Sequence, residues 1–136
     1  MAAKRFEYRA SLDREGVILA DGRAPIEPGG EWTPEHLVLA GLMRCTLKSL
    51  DFHASRSSVA VRGSAAADAV VTRRAEDGRY ALVEVECGLD VELDPAPQGD
   101  KLTELLELAE RDCFVGASLT AKTRYEWRVN GEVVGR

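Results

Sequence analysis

The chain has 136 residues, 45% hydrophobic and 30% charged, enough to bury a core without disulfide or metal staples. A formal net charge of −5 and a pI near 5.1 argue against nucleic acid or an anionic membrane as partner. Met1 to Arg5 lack the apolar core of a signal peptide and no apolar stretch spans a bilayer, so the expected location is the cytoplasm.

In chain order, Phe6, Tyr8, Ala10 and Leu12 alternate with Glu7, Arg9 and Ser11, the period-2 pattern of a half-buried strand. Asp13 to Gly16 reads as its turn and Val17 to Ala20 as the returning strand. Asp21 to Glu31 is a loop broken by Asp21-Gly22, Pro25, Pro28 and Gly29-Gly30; it carries Arg23 and Glu27 and delivers Trp32 to a helix. The helix starts with clear signals. Thr33 is a capping residue, Pro34 suits the first helical position, and Glu35 places a carboxylate where the helix dipole favours it. From Leu37 to Met43 nearly every residue is apolar, so the helix, running to Ala54, is expected to be buried on most of its circumference. Cys45 lies at its middle.

Ser55 to Ser58 is a polar break. Val59, Val61, Ala65, Ala67, Ala69 and Val71 then share one parity of a long strand, and Glu76-Asp77-Gly78 has hairpin-turn chemistry. The clearest alternation follows: Ala81, Val83, Val85, Cys87, Leu89, Val91 and Leu93 on one face, Glu84, Glu86, Asp90 and Glu92 on the other. After the Asp94 to Gly99 turn, Leu102, Leu105, Leu106, Ala109 and Cys113 line one face of a helix from Asp100 to Cys113. Gly116 offers a stop. Ala121, Thr123, Tyr125, Trp127 and Val129 alternate with charged residues in a last strand. The order ββ–α–ββ–α–β defines a single α+β domain over residues 1–136, with an antiparallel sheet wrapped around a long buried central helix and a second helix bearing a cysteine.

The candidate chemistry centres on thiols. Cys45, Cys87 and Cys113 are odd in number and have no close pair, which is not a disulfide scaffold. Most free cysteines are small buried hydrophobes, and Cys87, on the apolar parity of its strand, fits that description best. No metal site is expected, since there is no C-x-x-C or H-x-x-x-H and His36 and His53 have no nearby thiol pair. Gly29-Gly30 has no P-loop lysine, and no G-x-S-x-G occurs, so no cofactor is expected either. A buried thiol needs a cation to become a nucleophilic thiolate. Cys45 is about 17 Å along the helix from Pro34, beyond the reach of the N-terminal dipole. Lys48 shares its face, Arg44 points about 100° away, and an arginine from the 21–31 loop could fold over it.

Thr33-Pro34-Glu35 followed by Leu37 to Cys45 resembles the cysteine helix of the OsmC/Ohr family, the osmotically inducible and organic hydroperoxide resistance proteins. Leu105 to Cys113 with Phe114 to Leu119 resembles that family's second cysteine segment. The resemblance runs over essentially the whole chain. It implies a thiol peroxidase in which Cys45 is peroxidatic and Cys113 resolving, with Glu35 orienting an arginine onto the reactive sulfur. Arg23 is the best match for that arginine, with Arg9 and Arg44 as substitutes. Two residues depart from the family pattern: Phe114 stands where proline usually follows the second cysteine, and Arg44 where the residue before the first is usually small or apolar.

The implied cycle is attack of the Cys45 thiolate on an organic hydroperoxide, a sulfenic acid, a Cys45–Cys113 disulfide, and reduction by an external dithiol. Trp32, Leu42, Met43 and Phe114 are candidates for an apolar mouth. A helix apolar on most sides needs more cover than one sheet gives, so an interleaved homodimer is expected, as the resemblance also implies. The rival readings are a hot-dog-like acyl-binding or thioesterase module, whose cysteines would be incidental, and a catalytically divergent protein of the same fold.

Overall fold

The computed structural model describes residues 3–20, 23, 25–26 and 32–135. Glu27 and the Gly29-Gly30, Pro28 and Asp21-Gly22 breaks lie outside the described residues. The chain forms two compact units, residues 1–36 and 37–136.

In the first unit, β1 (Ala10–Leu12) and β2 (Ile18–Ala20) form an antiparallel hairpin in which Ser11 faces Leu19. The Asp13 carboxylate closes the turn by accepting from the Glu15 and Val17 amides at 3.0 and 2.9 Å. The alternation from Phe6 predicts a longer strand than β1. Phe6 and Tyr8 are instead exposed and precede the paired residues, because strand pairing begins only at Ala10↔Ala20.

Helix α1 (Pro34–Ser55) begins where the sequence signals place it. The Thr33 hydroxyl accepts from the His36 amide at 3.2 Å, and the His36 ring accepts in return from the Thr33 amide at 3.1 Å, so two orphan donors of the first turn are satisfied reciprocally. The expectation of burial on most of its circumference needs correction. Leu42, Thr46, Ser49, Leu50 and Ala54 are buried, but Leu37 to Gly41 are only half-buried and Phe52 is 57% exposed.

The second unit carries β3 (Ala60–Arg73), β4 (Tyr80–Asp94), α2 (Asp100–Arg111), α3 (Phe114–Ser118), β5 (Thr123–Val129) and β6 (Glu132–Val133). Its four-stranded sheet has the order β3-β4-β5-β6. The predicted alternation of β4 is seen from Glu84 onward: Val85, Cys87, Leu89, Val91 and Leu93 are buried while Glu84, Glu86, Asp90 and Glu92 are exposed. Before it Ala81, Leu82 and Val83 are all half-buried, and it is Leu82 that packs on the core. On β3 the inward parity holds to Ala69 and breaks at Val71, where a register shift between Val70 and Val71 skips one residue of β4.

The sheet is not antiparallel throughout. β3 pairs antiparallel with β4, but β5 runs parallel to β4, with Cys87 opposite Tyr125 and Leu89 opposite Trp127. The helical crossover of α2 and α3 between them is the long connection that a parallel pair requires. Buried residues of α1, α2, β4 and β5 form one core, in which Leu42, Leu106 and Trp127 are among the largest side chains. The Trp127 indole donates to the Glu110 carboxylate of α2 at 2.7 Å, satisfying the one polar atom of a ring that is only 1% exposed.

Candidate active site

α2 ends at Arg111, two residues short of the predicted end, and a new helix begins at Phe114. Cys113 stays buried, as its place in the apolar series requires, but it sits between the helices as the N-cap of α3. Its sulfur accepts from the Gly116 amide at 3.4 Å, and its carbonyl accepts from the Ala117 amide at 2.9 Å.

The junction is fastened from both sides. The His53 imidazole of α1 lies 2.7 Å from one Asp112 oxygen, and the Arg111 guanidinium reaches both oxygens at 2.8 and 3.0 Å. Arg111 first, and His53 after it, hold the Asp112 carboxyl below the usual carboxylate range. The residue next to Cys113 is thereby tied to the second half of α1.

This placement brings Cys113 to Cys45. Thr46, the residue after Cys45, lies 3.4 Å from the Cys113 sulfur, and the Val115 and Phe114 backbones at the start of α3 and the Cys113 thiol are near enough to Cys45 to shift its pKa. Burial raises the Cys45 pKa above the ordinary thiol value, and the Cys113 contact adds to the rise. The Val115 and Phe114 amides oppose it, because they favour the thiolate. Both cysteines are free thiols, Cys45 half-buried and Cys113 0% exposed. Two neighbouring thiols, with backbone amides beside the more accessible one, are a setting suited to thiol–disulfide chemistry.

The other expected site residues are placed as follows. Glu35 is exposed in the first turn of α1. Arg23 is exposed, with its backbone amide donating to the Ala20 carbonyl at 2.7 Å. Both belong to the 1–36 unit. Of the four residues expected at an apolar mouth, Phe114 and Trp32 are exposed at 54% and 63%, and Met43 is half-buried. Leu42 is corrected: it is wholly buried in the core, because its position on α1 faces inward with Thr46 and Leu50. Among the described residues no cluster of three or more histidine, cysteine or carboxylate side chains is arranged to hold a metal ion. No helix among them is long and apolar enough to cross a membrane.

Three groups around Cys113 carry no motif in the sequence. The Thr46 hydroxyl lies 3.4 Å from the Cys113 sulfur and donates to the Leu42 carbonyl at 2.8 Å. A Cβ on Gly116 would touch the Cys113 sulfur at 3.5 Å and fall only 2.8 Å from the Tyr125 hydroxyl, so a side chain there would displace the phenol. In the sequence Thr46 is marked only as one of two polar residues, with Ser49, on the inward face of the helix.

A cysteine on a long helix facing a second cysteine at the start of a short one, over a mixed sheet, defines a thiol-bearing α+β protein of a known kind. The family model of OsmC-like proteins matches residues 27–128, and the chain belongs to that family. Among curated proteins, none matches the sequence. Among solved structures, the chain is similar to an OsmC-like protein of unknown function from Vibrio cholerae, with a TM-score of 0.74 at 16% identity, covering 90% of this chain and 99% of that one. It is also similar to the organic hydroperoxide resistance protein OhrB of Bacillus subtilis, with a TM-score of 0.54 at 19% identity, covering 91% and 96%. A putative organic hydroperoxide resistance protein from Vibrio cholerae, solved with captopril in one active site, gives a TM-score of 0.64 at 16% identity, covering 97% and 96%. At these identities the likeness is one of fold.

Proposed function

We propose that the protein is a thiol peroxidase that reduces organic hydroperoxides, with Cys45 as the peroxidatic and Cys113 as the resolving cysteine. The observation that carries this reading is the placement of Cys113, as the cap of α3, beside the Cys45–Thr46 turn of α1, with Thr46 3.4 Å from its sulfur. Membership of a family whose structural neighbours include organic hydroperoxide resistance proteins supports it.

The Cys45 thiolate attacks the terminal oxygen of the hydroperoxide, the O–O bond breaks, and the departing alkoxide takes a proton to leave as an alcohol. Cys45 is left as a sulfenic acid. The Cys113 sulfur then bonds to the Cys45 sulfur, water leaves, and an external dithiol reduces the disulfide. Because burial holds Cys45 in the thiol form, a cation brought to it has large leverage. Arg23 is assigned that role, with Glu35 orienting its guanidinium through paired charged hydrogen bonds. Phe114 and Trp32 supply apolar surface suited to an organic rather than an inorganic peroxide.

The working form is an interleaved homodimer in the cytoplasm. Half-buried Leu37 to Gly41 and exposed Phe52 and Phe114 are apolar surface that a second copy would cover. The decisive experiment is thiol titration of the purified protein before and after one equivalent of cumene hydroperoxide. Loss of two thiols per chain is expected; retention of all three overturns the reading.

A further inference from the structure

We propose that the Thr46 hydroxyl, with the Gly116 amide and the Tyr125 hydroxyl, forms a catalytic cradle that activates Cys113 for disulfide closure. The inference rests on the peroxidase reading and extends it to a step for which the sequence offers no motif.

A threonine inside a helix ordinarily bonds only the carbonyl one turn back. Thr46 makes that bond, to Leu42, at 2.8 Å. It is also 0% exposed, sits directly after Cys45, and holds its oxygen 3.4 Å from the Cys113 sulfur. A hydroxyl has one proton and two acceptor lone pairs. The single Thr46 proton has two acceptors, the Leu42 carbonyl at 2.8 Å and the Cys113 sulfur at 3.4 Å, and while Cys113 is a neutral thiol the shorter bond to the carbonyl holds it. When Cys113 ionises, the hydroxyl rotates and donates to the thiolate. The Gly116 amide, at 3.4 Å, donates to the sulfur in both states.

Tyr125 completes the cradle. The spot beside the Gly116 Cα is filled by the Tyr125 hydroxyl and the Cys113 sulfur together, an approach that any side chain at 116 would block. Burial, and then the neighbouring Cys113, push the Tyr125 phenol up to about 12, so it remains a proton donor through the working range. Cys113 is thus a fully buried thiol surrounded by donors. In the closing step its proton leaves with the oxygen of the Cys45 sulfenic acid as water, the S–O bond breaks and the S–S bond forms. The hydroperoxide has already supplied the oxidising equivalent.

The test measures closure in two ways on the full chain. In the first, one equivalent of cumene hydroperoxide is added and the sulfenic acid and disulfide are followed by rapid quench, dione trapping and intact mass. In the second, Cys45 is first converted to a mixed disulfide with an aryl disulfide, and Cys113 attack is read as release of the coloured thiolate. Thr46→Val is expected to slow closure about tenfold or more in both arms, the size of one lost hydrogen bond to a charged group, and to move the pH midpoint of closure upward. Thr46→Ser restores the rate, and Tyr125→Phe slows closure in the same direction. Thr46→Ala replaces the valine variant if that protein does not fold. Closure at the wild-type rate and midpoint without the hydroxyl overturns the proposal, as does an equal slowing in Thr46→Ser. If wild-type protein ignores the hydroperoxide, the peroxidase reading fails while the aryl disulfide arm still decides the cradle.

Discussion

Cys87 and the Cys45–Cys113 pair show how differently one protein can treat the same side chain. Cys87 lies on the inward face of β4 between Val85 and Leu89, 1% exposed, and burial pushes its thiol up to about 11. Cys113 is no less buried, yet hydroxyl and amide groups converge on its sulfur. Cys45, also raised by burial, is met by two amides at the start of α3 that pull the other way. Burial alone makes a thiol inert; donors placed around it give it chemistry. The first turn of α3 and Thr46 of α1 supply those donors, whereas the regular strand spends its amides on its neighbours.

The sharpest way to break this contrast is Cys45→Ser. It should abolish hydroperoxide consumption, since a serine hydroxyl is not ionised near neutral pH; retained turnover in a dithiol-coupled assay would remove Cys45 from the chemistry. Cys113→Ser should allow the first oxidation and block closure. Excess oxidant then carries Cys45 on to the sulfinic acid, seen as a gain of about 32 Da, the mass of two oxygens, in the intact protein. Absence of that product in this variant would mean another group resolves Cys45.

Arg23→Ala should slow alkylation of Cys45 by iodoacetamide near pH 7 about tenfold, as for the loss of one nearby cation. The melting temperature should barely move, since the side chain is exposed. An unchanged alkylation rate passes the role to Arg9, Arg44 or Lys48. Cys87→Ser should leave peroxide turnover intact and lower stability by about 1–3 kcal/mol through a hydroxyl on an apolar face. Because the folded Cys87 pKa is raised, its contribution is full below the ordinary thiol pKa and is lost as pH rises towards about 11. Chemical denaturation between pH 8 and pH 11 should therefore show a shallower alkaline decline in Cys87→Ser; an unchanged slope would move the alkaline sensitivity elsewhere.

Much of this was legible in residues. Thr33-Pro34-Glu35 fixed the start of α1 because capping is local, and the alternation through Val85, Cys87 and Leu89 fixed β4 because its two faces meet different media. The end of α2 falls two residues before the apolar series ends, for a physical reason. Cys113 continues the apolar series of Leu102, Leu105, Leu106 and Ala109 because it is buried, not because it is helical. β6 is too short for a period of its own, and its one mark in the sequence is the hairpin pair Asn130-Gly131, both with positive φ, 50° and 86°. The parallel pairing of β5 with β4 and the convergence of Thr46, Gly116 and Tyr125 depend on contacts between segments far apart in the chain. No local period records them.

The Trp127–Glu110 contact places an optical probe at the end of the helix that leads into Cys113. Glu110 closes the last turn of α2, three residues before Cys113, and its carboxylate holds the indole of a ring sealed from water. Indole emission shifts in colour and yield with the charge and water around the ring. Strain passed back from a closing sulfur bridge would therefore register at Trp127 before any product is collected. Trp32, 63% exposed, contributes a steady solvent-like background that Trp32→Phe removes. With that background gone, stopped-flow fluorescence should resolve oxidation and closure as separate phases in unlabelled protein, the second missing from Cys113→Ser.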